Sequence, residues 1–142
     1  MSHEMTVRGR GYHCDYYGHV NNARYLELLE EARWRWAESV MDLPAWQAAG
    51  FGFVVAGIDI RYRRPAPAGM LLLVRSDILR LGAKVGVFRQ EVLEAEGGRL
   101  LAEADVTFAV IDTRTGRALP LEGRADEPFT AWRREHGEPA AG

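Results

Sequence analysis

The chain of 142 residues contains one cysteine, Cys14, and one lysine, Lys84. A single cysteine can build neither an intrachain disulfide framework nor a CxxC metal knuckle, which excludes disulfide-scaffold and zinc-finger readings. The longest unbroken apolar run, Met70 to Val74, is far too short to span a membrane. The first ten residues hold no apolar stretch long enough for a signal peptide. Cationic charge is not in surplus either. Eighteen Lys and Arg against twenty Asp and Glu leave a net charge of -2, with no basic excess to grip a nucleic-acid backbone. There are three serines, Ser2, Ser39 and Ser76, and none lies in a G-x-S-x-G elbow, so a serine hydrolase is disfavoured. No P-loop is present, and no G-x-G-x-x-G follows a strand. The four histidines form no H-x-x-x-H pair, and the grouping His13, Cys14 and His19 has no second cluster to complete a metal site. These absences leave a soluble, cytoplasmic domain with no nucleic-acid or membrane partner and no metal as the expectation.

The residues present describe an ordinary globular chain, 47% hydrophobic and 27% charged. One domain is expected over residues 1–142, with an ordered core over 5–134 and a frayed tail over 135–142. Residues 5–12 read as a short extended segment, and Cys14 to Asn22 as a turn rich in Asp, Gly and Asn. From Asn22 to about Met41, Tyr25, Leu28 or Leu29, Ala32, Trp36 and Val40 recur at spacings of three and four, which predicts an amphipathic helix. Leu26, Trp34 and Ala37 fall outside that stripe, so the helix is expected to be covered on more than one side. Pro44 and Gly50 bracket a short helical turn. Strands then follow: the alternating stretch around Ile58–Tyr62, then Leu71–Leu81, Val85–Ala95 and Leu101–Ile111, the last three a meander joined by glycine turns. Pro128–Arg134 reads as a terminal turn or short helix. The fold class is α+β, a long antiparallel sheet wrapped round one long helix, with an open sheet edge that invites a second copy.

One segment carries chemistry. The only two asparagines, Asn21 and Asn22, stand together where the helix begins, and Asp15 precedes them by six residues, with Gly18 and His19 between. A helix N-terminus offers unpaired N–H groups and partial positive charge, suited to a developing oxyanion. A carboxylate across from it can attack a carbonyl or activate a water. The pattern describes carbonyl hydrolysis without a serine, a histidine base or a metal. Each residue also has an ordinary structural role: Asp15 and His19 in the turn, Asn21 or Asn22 as an N-cap, and Tyr25 in the core. Arg61, Arg63 and Arg64 equally suit the solvated end of a strand.

The run Asp15-Tyr-Tyr-Gly-His-Val-Asn-Asn-Ala-Arg-Tyr, followed by Glu30-Glu31-Ala32-Arg33, resembles the hotdog-fold acyl-CoA thioesterases of the 4-hydroxybenzoyl-CoA thioesterase-like family. A supporting match is Ile60-Arg-Tyr-Arg-Arg-Pro-Ala-Pro-Ala-Gly. The resemblance implies the hotdog fold and hydrolysis of an acyl-CoA to coenzyme A and a carboxylic acid, with no cofactor. It places Asp15 at the catalytic carboxylate, as nucleophile or general base, and the backbone N–H of Asn22 at the oxyanion donor. Gly18, His19 and Asn21 would shape the turn beside Tyr25. It also implies a site at a homodimer interface, or within a homotetramer, with Phe51 and Gly52 lining the acyl pocket and Arg63 and Arg64 meeting coenzyme A phosphates. Many relatives carry a second acid two positions before the catalytic one; this chain has His13 there. Two other readings share the resemblance: a hotdog dehydratase or hydratase using His19 with Asp15, and a non-catalytic acyl-CoA binding module.

Overall fold

The computed structural model describes residues 2–137. Five strands, β1 (His3–Arg8), β2 (Phe51–Tyr62), β3 (Leu71–Leu81), β4 (Val85–Glu94) and β5 (Leu100–Asp112), form one antiparallel sheet in the order β1-β3-β4-β5-β2. The helix α1 (Asn22–Val40) lies against one face of this sheet, and α2 (Leu43–Ala48) follows it at once. A 3-10 segment over Gly123–Phe129 and the helix α3 (Thr130–His136) complete the fold.

The helix begins where the sequence predicts, at Asn22, because Asn21 caps it: the Asn21 side-chain oxygen accepts the N–H of Ala23 at 2.9 Å. Tyr25, Leu28, Leu29, Ala32 and Trp36 are buried, as their spacing requires. Ala37, outside that stripe, is buried too, and Trp34 is half-buried with its ring edge toward Phe53 at 6.4 Å, so the helix is covered beyond its main face. Glu31 and Arg35 form the expected exposed pair at 3.2 Å. Beneath the helix the inward residues Ala104, Val106, Phe108 and Val110 of β5 are all buried.

The meander β3-β4-β5 matches the sequence expectation closely. Its tightest point is Gly86: a Cβ there would lie 2.8 Å from Leu81 Cδ2 and overlap the Phe108 ring. Three boundaries differ. The first strand begins at His3, two residues early, and gives way to a 3-10 turn at Gly11–His13. The second strand starts at Phe51, seven residues before the alternating stretch, because its first half is continuously apolar. The C-terminal helix runs to His136, inside the expected tail; residues 138–142 of that tail lie outside the described residues.

Strand β2 is an edge, bonded only to β5. Val54, Val55 and Ile58 stand exposed on it, and Leu26 of α1, outside the main stripe, is exposed as well. No helix among the described residues is long and apolar enough to cross a membrane.

Candidate active site

The turn before α1 is built by Asp15. Its backbone N–H donates to the His19 carbonyl at 2.8 Å, and its carbonyl accepts the Gly18 N–H at 3.0 Å. Gly18 adopts φ +80°, a conformation that favours glycine. The Asp15 carboxylate closes the same turn: Oδ1 accepts the N–H groups of Tyr17 at 2.9 Å and His19 at 3.3 Å. The turn therefore occupies one carboxylate oxygen of Asp15 and not the other. Oδ1 is held by two backbone donors, while Oδ2 has no hydrogen-bond partner among the described residues.

A second loop packs on this turn. Val20 N–H donates to the Ala66 carbonyl at 2.8 Å and Ala68 N–H to the Gly18 carbonyl at 3.2 Å, so the Pro-rich segment after β2 supports the turn that carries Asp15.

The helix start leaves one backbone donor unspent. Ala23 N–H is spent on Asn21 Oδ1, and the N–H groups of Arg24 and Tyr25 go to the Asn21 carbonyl. The N–H of Asn22 makes no hydrogen bond among the described residues, which leaves it as an open donor at the positive end of a 19-residue helix.

Asp15, His19, Asn22, Tyr25, Arg63 and Arg64 line one cavity of about 270 Å³, together with Val20, Tyr62 and Pro65. Gly18 and Asn21 do not line it; they set its turn and its cap. Arg63 is committed to Glu103 at 2.8 Å, whereas the Arg64 side chain forms no ion pair among the described residues. Burial and the neighbouring Tyr62 hold the Tyr25 hydroxyl above its ordinary pKa, so it stays protonated at neutral pH. His13 does not face this chemistry: its Nδ1 accepts the Arg10 N–H at 2.9 Å and completes the 3-10 turn.

Phe51 and Gly52 are not brought to this cavity within one chain. They begin β2, whose other end reaches the cavity at Tyr62, and an extended strand of that length separates its ends by roughly 35 Å. Phe51 instead stacks on Trp46 at 5.4 Å. The sequence alone assigns Tyr62 no role here. Its hydroxyl donates to the Asn22 carbonyl at 2.9 Å and its ring meets Tyr25 edge-on at 5.4 Å.

A five-stranded antiparallel sheet packed on one long helix is the arrangement of the hotdog-fold thioesterases. Residues 10–132 match the profile of the thioesterase-like superfamily, and the chain belongs to that family. It is 45% identical over 124 residues to the long-chain acyl-CoA thioesterase FadM of Escherichia coli K12, an alignment covering 87% of this chain and 94% of the relative. The structure of YbaW, a probable thioesterase from Escherichia coli, superposes with a TM-score of 0.82 at 43% identity, over 89% of this chain and 95% of that one. The Staphylococcus aureus protein SAV2348, solved in complex with CoA, shares the fold with a TM-score of 0.84 at 15% identity, over 94% of this chain and 85% of that one. The enzyme class is thioester hydrolase.

Proposed function

We propose that the protein hydrolyses acyl-CoA thioesters to coenzyme A and a carboxylic acid, with Asp15 and the Asn22 N–H as its catalytic pair. The observation that carries this reading is the coincidence of two unspent groups, Asp15 Oδ2 and the Asn22 N–H, on residues that line one cavity. The thioester carbonyl oxygen accepts from Asn22 N–H, where the helix dipole stabilises the charge that develops on it. The open carboxylate oxygen then either adds to the carbonyl carbon or takes a proton from the attacking water. In the first route the coenzyme A thiolate leaves and water then hydrolyses the anhydride formed on Asp15; in the second the water oxygen replaces the thiolate directly. In both the thiolate takes up the proton released by water, and neither needs a cofactor. Arg64, which forms no ion pair among the described residues, is the better placed of the two arginines to meet a coenzyme A phosphate.

The working unit in this reading is a homodimer formed through β2. Antiparallel pairing of two β2 edges about their middle covers Val54, Val55 and Ile58. It also sets the Phe51–Phe53 end of one copy opposite the Tyr62 end of the other. Phe51 and Gly52 then join the Asp15 cavity from the second copy, and the acyl group lies between the two chains.

The test is thiol release by the purified protein from a panel of aliphatic and aromatic acyl-CoAs, beside the Asp15→Ala variant. Release by the wild type and its loss in the variant support the reading. Consumption of an enoyl-CoA without thiol release would turn it to a hydratase, and binding without turnover to a carrier.

A further inference from the structure

Two cavities meet at one side chain. The first, of about 220 Å³, lies between α1 and the β2 side of the sheet. Its inner wall is Trp34, Phe53, Phe88 and Phe108, and Val55, Glu30 and Arg33 complete its lining. The second, of about 460 Å³, lies where the C-terminal end of α1, β3 and α3 come together, and includes Val40, Ser76, Ile78, Ala131 and Trp132. Trp36 lines both.

Trp36 is held by ring packing. Its indole meets Phe88 edge-on at 4.8 Å and stacks on Phe129 at 5.8 Å. Trp46 and Trp132 are pinned through their indole N–H to the carbonyls of Arg124 and Ile78, whereas the Trp36 N–H donates to no group among the described residues. A polar chain links a residue of one cavity to a residue of the other. Arg33 Nη1 donates to Gln90 Oε1 at 2.9 Å, and Gln90 Nε2 donates to Ser76 Oγ at 2.9 Å and to the Leu29 carbonyl at 3.0 Å. Gln90 is fully buried, and both of its amide hydrogens are spent, which fixes the orientation of its amide.

We infer that Trp36 is the specificity-determining partition of the acyl pocket: the tail of the acyl group fills the first cavity and stops against the indole, which sets the longest chain the enzyme accepts. The inference rests on the thioesterase reading above and adds to it a limit on substrate length. Val55, on the exposed β2 edge, lines the first cavity, and in the proposed dimer the acyl chain reaches it from the Asp15 cavity of the second copy along the paired β2 strands. Its inner wall is aromatic and suits hydrocarbon. Beyond Trp36 the lining is mixed: Val40, Ile78 and Trp132 are apolar, while Ser76 is 1% exposed and His3 Nδ1 is buried with no partner among the described residues. A longer tail gains the second cavity only by displacing the indole and passing the Arg33–Gln90–Ser76 chain. A smaller residue at position 36 joins the two spaces, and each further buried methylene is worth about a fourfold gain.

The test is kcat/KM for thiol release across straight-chain acyl-CoAs from butanoyl to octadecanoyl. Four proteins are compared first: wild type, Trp36→Leu, Ala131→Trp and the double variant. Ala131 is exposed on α3, and tryptophan there fills the second cavity from outside. Trp36→Leu is expected to accept chains at least two methylenes longer, raising kcat/KM for them about 15-fold relative to the wild-type optimum. Ala131→Trp alone keeps the wild-type cutoff, and the double variant returns to it. Should Trp36→Leu fail to fold, Val55→Phe at the rim of the first cavity gives the converse readout, a shortened cutoff. An unchanged cutoff in an active Trp36→Leu, or in an active Val55→Phe, overturns the inference and leaves the thioesterase reading intact. A double variant that keeps the gain also overturns it. No thiol release from any chain length by the wild type overturns both.

Discussion

The Tyr62 hydroxyl donates to the Asn22 carbonyl at 2.9 Å, tying the last residue of the edge strand β2 to the first residue of α1. The residue proposed as the oxyanion donor is thus held from its carbonyl side by a strand 40 positions away. Tyr62→Phe removes the bond and little else. The expected loss of stability is below about 1 kcal/mol, because the group is exposed. The expected fall in kcat is about tenfold, from looser placement of the oxyanion donor. Urea denaturation and steady-state kinetics on one acyl-CoA separate the two effects. A kcat equal to wild type would show that Asn22 is placed without Tyr62.

The Asn21 side chain is the N-cap of α1 through Ala23 N–H. Asn21→Ala leaves that donor unpaired and should cost about 1 kcal/mol of stability, and Asn21→Ser should restore most of it. Denaturation midpoints of the three proteins check this. Alanine matching the wild type would place the cap elsewhere.

Gln90 is buried and bonded to Arg33, Ser76 and the Leu29 carbonyl at once. Gln90→Met keeps the volume but strands all three partners, and we expect it to cost about 2–4 kcal/mol. Ser76→Ala removes one neutral bond and should cost about 1 kcal/mol. Urea unfolding ranks the pair; the opposite ranking would mean that Gln90 is not the centre of the network.

The Arg99 guanidinium, hydrogen-bonded to Glu94 across the β4–β5 turn, holds the Glu94 carboxyl below its ordinary value of 4.5. A carboxyl whose folded pKa is depressed adds stability above its unfolded pKa and loses it as pH falls through the folded one. Wild type should therefore melt above Glu94→Gln near neutral pH, and the two melting temperatures should converge as the pH falls below 4.5. The Arg99 side chain is exposed, so the gap is small. A gap that persists at the lowest pH contradicts the assignment.

How far the sequence reveals this molecule depends on the range of each interaction. The strand β3 is legible to the residue because a Pro-Gly turn precedes Leu71 and Gly82 follows Leu81. The N-cap is legible because capping is local. The start of β2 is not: Phe51 to Ala56 shows no alternation, since that half of the edge strand meets the aromatic cluster on one side and lies open on the other. The 3-10 segment Gly123–Phe129 has no periodicity to read. In the site, Asp15, His19 and Asn22 lie within eight residues, and their motif marks them. Tyr62 alternates with Arg61 and Arg63 like any strand residue, and its bond to Asn22 depends on how the strand crosses the helix start. Trp36 fits the core stripe of α1 equally well as packing and as partition, and only the cavities on its two sides tell these roles apart.

The central claim is that the Asp15 carboxylate does the chemistry, and Asp15→Asn tests it most directly. Asparagine keeps an oxygen to accept the Tyr17 and His19 N–H groups, so the turn stays closed while the negative charge is lost. The measurement is kcat for thiol release from the best acyl-CoA of the panel, with the melting temperature of both proteins taken alongside. The account predicts an unchanged melting temperature and a kcat lowered by about a thousandfold, the scale of losing an essential acid–base or nucleophilic group. A folded Asp15→Asn that turns over within about threefold of wild type would contradict it.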